Sequence, residues 1–510
     1  MQESVKKSRH IFILSLIILA FLAVSLLMLL RHYFITPDST YLLALGKNIV
    51  SGNGLTINGD AHYRYPPAYG TVAGLLWLVI GNLELSAHIV SLLSGIGTII
   101  LVYIFASRSF DRTTGLLAAA LVAVNPLFGR IGSAALGESF FALGYAAWIL
   151  LIFILLKKPN VWMSFAAGLI AGIVYLTRAE GFLIFPLGLI VLLISWWRGK
   201  HRAGMVIVSL AAMIVGWMIP GLPYLLFLRE NLGGWALSGK ITQNLERVSE
   251  ALYSGDLEAY HETNLREYES PGLVQYIVQN FPRVSERYFY YTWQALKLVV
   301  VRSGPAIALF IWFAILALRK KPAVWWHYLA LASPLVVYPL AHIEIRYVTP
   351  YFIAFAPLIG YGMYLAWPSR WQRWLVVLTF ALMAVGCGVA IYRTQPPPYE
   401  HRILADWMAE NIPESREARI AARYAYVNFY LENEDFRYLP VADSLEESLQ
   451  LARKRAVEYF VIDERLIGTV RPELDELLDP SNAPEGIELV VELEPPEVPE
   501  RILLYRIEGR

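Results

Sequence analysis

Charge is what this chain has least of. Only 17% of its 510 residues are charged and 56% are hydrophobic, whereas a soluble domain is about one-quarter charged. That balance excludes a purely soluble protein and points to a membrane protein. The net charge of +1 leaves no electrostatic footprint for nucleic acid, so no such partner is expected. The single cysteine, Cys387, lies in an apolar run, which excludes a disulfide framework and a cysteine-based metal site; its expected role is packing. No small-residue cleavage site follows the first apolar run of about twenty residues, so that run reads as a retained helix. No internal repeat is visible, and the apolar runs are nearly free of ionisable residues at mid-span. A transporter or flippase of a lipid-linked cell-envelope precursor, the alternative reading, would be expected to show both.

What is present is a long series of apolar runs. Spans are expected near 11–30, 85–106, 114–129, 138–156, 161–177, 181–197, 204–228, 303–318, 323–341, 347–367 and 372–392. Lys6, Lys7 and Arg9 before the first run place the N-terminus in the cytoplasm by the positive-inside rule. A twelfth apolar segment, 67–81, does not fit. Counting it as a crossing would move Arg108/Arg112, Lys157/Lys158, Arg198/Lys200/Arg202 and Arg319/Lys320/Lys321 to the outside. Leaving it out keeps all of them cytoplasmic, and about fifteen residues is short for a span. The segment is therefore expected to be a non-crossing helix in the outer leaflet.

The same parity gathers the polar loops on one non-cytoplasmic face: 38–69, 125–138, 177–181, 229–302 and 342–347. The long loop 229–302, with its Tyr288-Phe289-Tyr290-Tyr291 cluster, is expected to carry short helices at the membrane surface. Beyond Tyr392, Gln395-Pro396-Pro397-Pro398 reads as a stiff linker. The chain thus divides into a membrane domain, 1–394, with outer loops 31–84 and 229–302, and a small α/β extracytoplasmic domain, 395–510. In the latter, helices 400–411 and 443–455 and strands near 419–422, 459–463, 488–492 and 502–507 suggest a partly parallel sheet without a phosphate-binding glycine pattern.

Candidate chemistry sits on the outer face. Asp38, after Thr36-Pro37, can help start a helix or serve as a general base or cation ligand. Asp60 and His62 have a weak metal spacing among turn signals. Arg64, before Tyr65-Pro66-Pro67, suits a lipid phosphate or simple snorkelling. Glu138 begins an apolar helix, where it can offset the dipole or act as a site carboxylate. Arg130 is its nearby candidate partner or a second phosphate ligand. Arg178 and Glu180 can merely pair. Glu344-Ile345-Arg346-Tyr347 puts a cation outside, against the positive-inside trend. Carboxylates and arginines round one outer cavity suit chemistry on a lipid-linked phosphate.

The order D-x-x-Y (Asp38, Tyr41), G-x-G, Y-P-P-x-Y (Tyr65, Tyr69), N-P-x-F, G-E-S-F-F, T-R-x-E-G and E-x-R-Y-x-x-P resembles the GT-C membrane glycosyltransferases. It is most like the dolichyl-phosphate-mannose–protein mannosyltransferase-like and aminoarabinose-transferase-like families, over residues 10–390. The resemblance implies transfer of a hexose or pentose, with inversion, from a polyprenyl-phosphate-sugar donor lipid to a lipid, glycan or protein acceptor outside the cell membrane. It implies Asp38 and Glu138 as catalytic acids, with Arg64, Arg346, Arg178 and Arg130 as candidate ligands of the donor phosphate. Tyr41, Tyr65, Tyr69, Glu344 and Tyr347 become pocket candidates. A divalent cation (Mg, Mn or Zn) is a candidate cofactor, at Asp38 and Glu138 if anywhere. Two positions depart from the family pattern: Arg64 replaces an acid two residues before Pro-Pro, and Ser39 replaces a second acid after Asp38. The W-W-D motif of the oligosaccharyltransferase branch is missing, since Trp196-Trp197 and Trp325-Trp326 precede Arg198 and His327.

Overall fold

The computed structural model describes the chain except for residues 1, 32–34, 200–201, 241–243, 255–272, 322–330, 341–343, 394–398, 434, 436–441, 443, 466, 468–470, 495–499 and 508–510. The expected linker at 395–398 lies outside the described residues. Helix α1 (Gln2–Arg31) leads into α2 (Pro37–Val50), a two-stranded hairpin of β1 (Thr56–Ile57) and β2 (Asp60–Ala61), and α3 (Ala68–Ile80). Then follow α4 (Leu83–Ser109), α5 (Arg112–Ala123), α6 (Pro126–Ser133), α7 (Glu138–Lys157), α8 (Val161–Tyr175), α9 (Ile184–Trp197) and α10 (Ala203–Leu232). After the long loop come helices Phe281–Ser303, Ala306–Lys320, Phe352–Ala366 and Arg370–Arg393.

Seven of the described helices are long and apolar enough to cross a membrane, or nine if two bent pairs each make one span. The bent pairs are Arg112–Ala123 with Pro126–Ser133, at 65°, and Phe281–Ser303 with Ala306–Lys320, at 102°. Asn125 and Pro126 cause the first bend: the asparagine side chain caps α6, accepting from Leu127 N and Phe128 N, with proline in the first turn. The remaining two of the eleven expected spans are α8, only fifteen residues long, and 323–341, of which 323–330 and 341 lie outside the described residues and Ser333–Leu340 forms a short 3-10 helix rather than a span. Where 229–302 was expected to hold only short helices, Phe281–Ser303 is 23 residues long. Its aromatic run exposes Phe289 and Trp293, as a helix on a lipid surface does.

Helix α3 has thirteen residues and stops at Gly81, whose φ is +77°. At 1.5 Å per residue it spans about 20 Å, short of a bilayer core of about 30 Å. It folds back on α2 through Gly46, Gly70 and Gly74, where an added Cβ would overlap the facing backbone. Small residues allow the same close approach between α8 and α10 at Gly168 and Gly216. Residues 420–507 build a four-stranded sheet of β3 (Ile420–Ala421), β4 (Tyr459–Asp463), β5 (Ile487–Leu493) and β6 (Ile502–Ile507), in the order β3-β4-β6-β5. Its β3–β4 pair is parallel and the others antiparallel. Ala425 and Phe429, at the start of and within the helix Tyr426–Tyr430 that follows β3, pack with Tyr41 and Leu45 of α2, and Lys47 lies 3.4 Å from Glu432. The C-terminal region therefore rests on the helix that carries Asp38 in its first turn.

Candidate active site

Thr36, not Asp38, caps α2. Its side chain accepts from Ser39 N, Ser39 reciprocates at the cap backbone, and Pro37 occupies the first turn. The Asp38 carboxylate is thereby left to face the cavity. Tyr65 donates to Oδ1 at 2.7 Å and Arg346 Nη2 to Oδ2 at 3.0 Å. Lys240 Nζ lies 3.8 Å from Oδ1 and 4.9 Å above the Tyr65 ring. Burial pushes the Asp38 carboxyl upward, but Lys240, Arg346 and the Tyr65 hydrogen bond outweigh it. They hold the group well below the usual carboxylate range.

Glu138 opens α7 and is only 3% exposed. Arg178 Nη1 donates to its Oε1 at 2.8 Å, and Arg346 Nε stands 3.8 Å from the same oxygen. Arg178 also pairs with Glu180, and its guanidinium lies 4.5 Å over the Tyr347 ring. Tyr338 donates to Glu180 Oε1 at 2.9 Å. Arg346 is bonded further by Glu344, at 3.1 Å, and Tyr347 donates to the same Glu344 oxygen at 3.0 Å. Asp38, Arg346, Glu138 and Arg178 thus form one alternating chain of charge, drawn from loops far apart in sequence.

Three members of that chain, Asp38, Glu138 and Arg346, form a partition lining both of two cavities of about 230 and 600 Å³, which also share Leu136, Lys240, Asn244 and Tyr347. The smaller chamber adds Arg64, Tyr65, Arg178, Glu180 and Tyr338. The larger adds Arg130, Arg302 and Glu344, with Leu127, Ile131 and Leu298 for an apolar flank. Arg64, Arg130, Arg178, Lys240, Arg302 and Arg346 face Asp38, Glu138, Glu180 and Glu344. Six cations against four carboxylates leave an excess of positive charge, which suits an anionic ligand.

The sequence candidates divide accordingly. Asp38, Glu138, Arg64, Arg130, Arg178, Arg346, Tyr65, Glu344 and Tyr347 line the cavities. Tyr41 and Tyr69 line neither. Tyr41 stacks with His62 and Tyr65, and the fully buried Tyr69 donates to Ala87 O at 3.0 Å. Arg130, considered as a partner for Glu138, belongs to the larger chamber; Arg178 takes the Glu138 pairing. Asp60 is exposed on β2. Lys240, Arg302 and Tyr338 were not singled out from the sequence. Lys240 and Arg302 are cations in the stretch 229–302 expected to lie outside, against the positive-inside trend, which is the signal that marked Arg346.

A divalent ion does not fit at Asp38 and Glu138 as they stand, because both carboxylates already face cations. Among the described residues, one group places three possible ligand atoms within 4.8 Å of one another: Glu400, His401 and Asp463. It lies where helix Tyr399–Asn411 meets β4, and Arg465 is paired with Glu400, which opposes a cation there.

Residues 64–220 match the family model for dolichyl-phosphate-mannose-protein mannosyltransferase. Three solved structures superpose on the chain at low identity. The oligosaccharyltransferase of Archaeoglobus fulgidus, in complex with zinc and sulfate, superposes with a TM-score of 0.57 at 13% identity, over 90% of this chain and 70% of that one. ArnT of Cupriavidus metallidurans bound to undecaprenyl phosphate gives 0.56 at 14% identity, over 97% of both chains. The arabinofuranosyltransferase AftD from Mycobacteria gives 0.52 at 13%, over 97% of this chain and 40% of that one. The chain has the GT-C glycosyltransferase fold. No curated protein matches it by sequence. The matched stretch 64–220 runs from Arg64 through Arg130, Glu138 and Arg178 to Pro220 in α10, so it includes Glu138 and Arg178 but neither Asp38, Lys240 nor Arg346. The likeness to the oligosaccharyltransferase is one of fold, since the W-W-D motif of that branch is missing here.

Proposed function

We propose that the protein transfers a sugar from a polyprenyl-phosphate donor to an acceptor on the extracytoplasmic face of the membrane. The observation that carries this reading is the position of Asp38, on a wall shared by two chambers of which the larger is cationic and flanked by apolar residues. A lipid-linked phosphate suits that chamber: Arg130, Arg302, Lys240 and Arg346 neutralise it, and the prenyl chain leaves past Leu127, Ile131 and Leu298. The acceptor enters the smaller chamber beside Arg64, Tyr65 and Tyr338. Arg64 is thereby assigned to the acceptor side, and Arg178 orients Glu138 rather than holding phosphate.

In this mechanism an acceptor hydroxyl attacks the anomeric carbon from the side opposite the phosphate and gives its proton to Asp38. The bond between the anomeric carbon and the phosphate oxygen breaks through an oxocarbenium-like transition state. Polyprenyl phosphate leaves with the bonding pair, its charge met by cations already in place. A single displacement across a partition inverts the anomeric configuration. The chain's own arginines and lysine neutralise the leaving group, and no step is assigned to a metal. Among solved structures that superpose on this chain, the oligosaccharyltransferase AglB of Archaeoglobus fulgidus is in complex with an inhibitory peptide and a dolichol-phosphate, and ArnT of Cupriavidus metallidurans is bound to undecaprenyl phosphate, which supports a polyprenyl-phosphate donor here.

The test is transfer from defined polyprenyl-phosphate sugars by Asp38→Asn in proteoliposomes. Loss of the base is expected to lower kcat by about 10²- to 10⁴-fold, with the wild-type product inverted by NMR. Undiminished transfer by a folded Asp38→Asn protein removes Asp38 from the mechanism. Lipid flux by the wild type without covalent transfer would favour a flippase instead.

A further inference from the structure

The proposed base is not free to act while its present contacts hold. Tyr65, Arg346 and Lys240 all bear on its two oxygens, at 2.7, 3.0 and 3.8 Å. A carboxylate so surrounded is a weak proton acceptor. Something has to loosen these contacts before an acceptor hydroxyl can be deprotonated.

Lys240 differs from the other cations of the partition. Arg178 is closed between Glu138 and Glu180, and Arg346 is held by Glu344 as well as Asp38. Lys240 lies farther from its carboxylate than the roughly 2.7–2.9 Å of a charge-assisted hydrogen bond. Its ammonium rests over the Tyr65 ring, its side chain is 27% exposed, and it lines both chambers. It sits on non-helical backbone between α10 and the turn Asn244–Val248. A lysine is a point charge on a flexible four-carbon stem, able to swing between anions on either side without backbone movement.

We propose that Lys240 changes partners during the cycle: it clamps Asp38 until the lipid binds and then moves onto the donor phosphate, so that Asp38 becomes a competent base only once the donor is seated. The inference rests on the donor reading above and adds an order to it. The phosphate in the larger chamber and Asp38 compete for Lys240 and for the Nη2 of Arg346, and the arriving anion releases the carboxylate toward the smaller chamber. Donor binding thus precedes activation of the acceptor. Lys240 is a positioning residue for Asp38 as well as a phosphate ligand.

Competition makes an unusual forecast: removing the base improves binding of the leaving group. Undecaprenyl phosphate is titrated at pH 8 into the full-length protein in lipid nanodiscs, with melting curves for each variant. Asp38→Asn is expected to bind about tenfold tighter than wild type, and Lys240→Met about tenfold weaker, each the loss of roughly one charge-assisted contact. Lys240→Arg, which keeps the charge, should return to near wild-type affinity. Tighter binding cannot arise from a misfolded site. If Asp38→Asn binds no tighter than wild type, the two anions do not compete and the exchange is wrong. The same holds if Lys240→Met binds like wild type, or if Lys240→Arg fails to restore what Lys240→Met lost. Failure of the wild type to bind the probe at all overturns the donor reading itself, which separates the two ideas.

Discussion

Glu138 shows how much one side chain holds in place at the partition. It is buried, and Arg178 reaches it from the turn after α8 while Arg346 reaches it from the short helix Ile345–Val348. Removing one partner of a buried pair strands the other charge, at a cost of about 3–5 kcal/mol. Glu138→Ala should sit at the lower end, about 3 kcal/mol, because Arg178 keeps Glu180; a thermal melt of the purified protein measures it. His62 makes a pH-dependent contribution nearby. Burial, assisted by the Arg64 charge, lowers its pKa from 6.5 to about 4, so the fold favours the neutral ring. That stabilisation is complete above about pH 6.5 and is lost as the pH falls toward 4. His62→Phe keeps an aromatic ring against Tyr41 and Tyr65. Its melting temperature should lose the wild-type decline between pH 6.5 and 4.

At the scale of elements, the α2–α3 hairpin determines where the chemistry sits. Asp38 lies in the first turn of α2, and Tyr65 precedes α3, so the angle and spacing of these helices set the 2.7 Å bond between the two residues. The close approach depends on glycines: a Cβ at Gly70 would run into the carbonyl of Leu42. Gly70→Ala is expected to push the helices apart, with an overpacking cost of about 1–3 kcal/mol. Transfer should fall with the lengthened Asp38–Tyr65 contact. Full activity in Gly70→Ala would show that the hairpin does not position Asp38.

The whole molecule poses a question of sidedness. In the positive-inside reading, α3 does not cross, and the loops with Asp38, Glu138, Arg178 and Arg346 share the outer face. In a Cys387→Ser background, Asp60→Cys and Glu432→Cys should react with an impermeant maleimide in intact cells. Asp111→Cys and Lys158→Cys should react only after lysis. The Lys47–Glu432 contact ties the C-terminal prediction to the first loop: the two sites have to label from the same side. Labelling of Lys158→Cys in intact cells would mean that α3 crosses after all.

Some of this was legible without coordinates. Long apolar runs and an apolar segment of about fifteen residues, too short for a bilayer, are local properties. Hydrophobicity acts on them in the same way whatever the rest of the chain does, so the helical membrane class, the short segment that forms α3 and the strand Tyr459–Asp463 could be read directly, whereas the number of spans could not. The motif residues Asp38, Glu138 and Arg346 were likewise visible, because ionisable groups at the ends of apolar helices stand out. Only the tertiary structure decided who pairs with whom. Arg178 rather than Arg130 reaches Glu138, Thr36 rather than Asp38 caps α2, and Lys240 arrives at Asp38 from a loop some two hundred residues away. Such pairings depend on angles between helices, which close glycine contacts and bends at Pro126 set, and no local pattern encodes them. Asp38 was readable as an acid in the right place. That its carboxylate stands in a wall between two chambers, held by cations, came from packing.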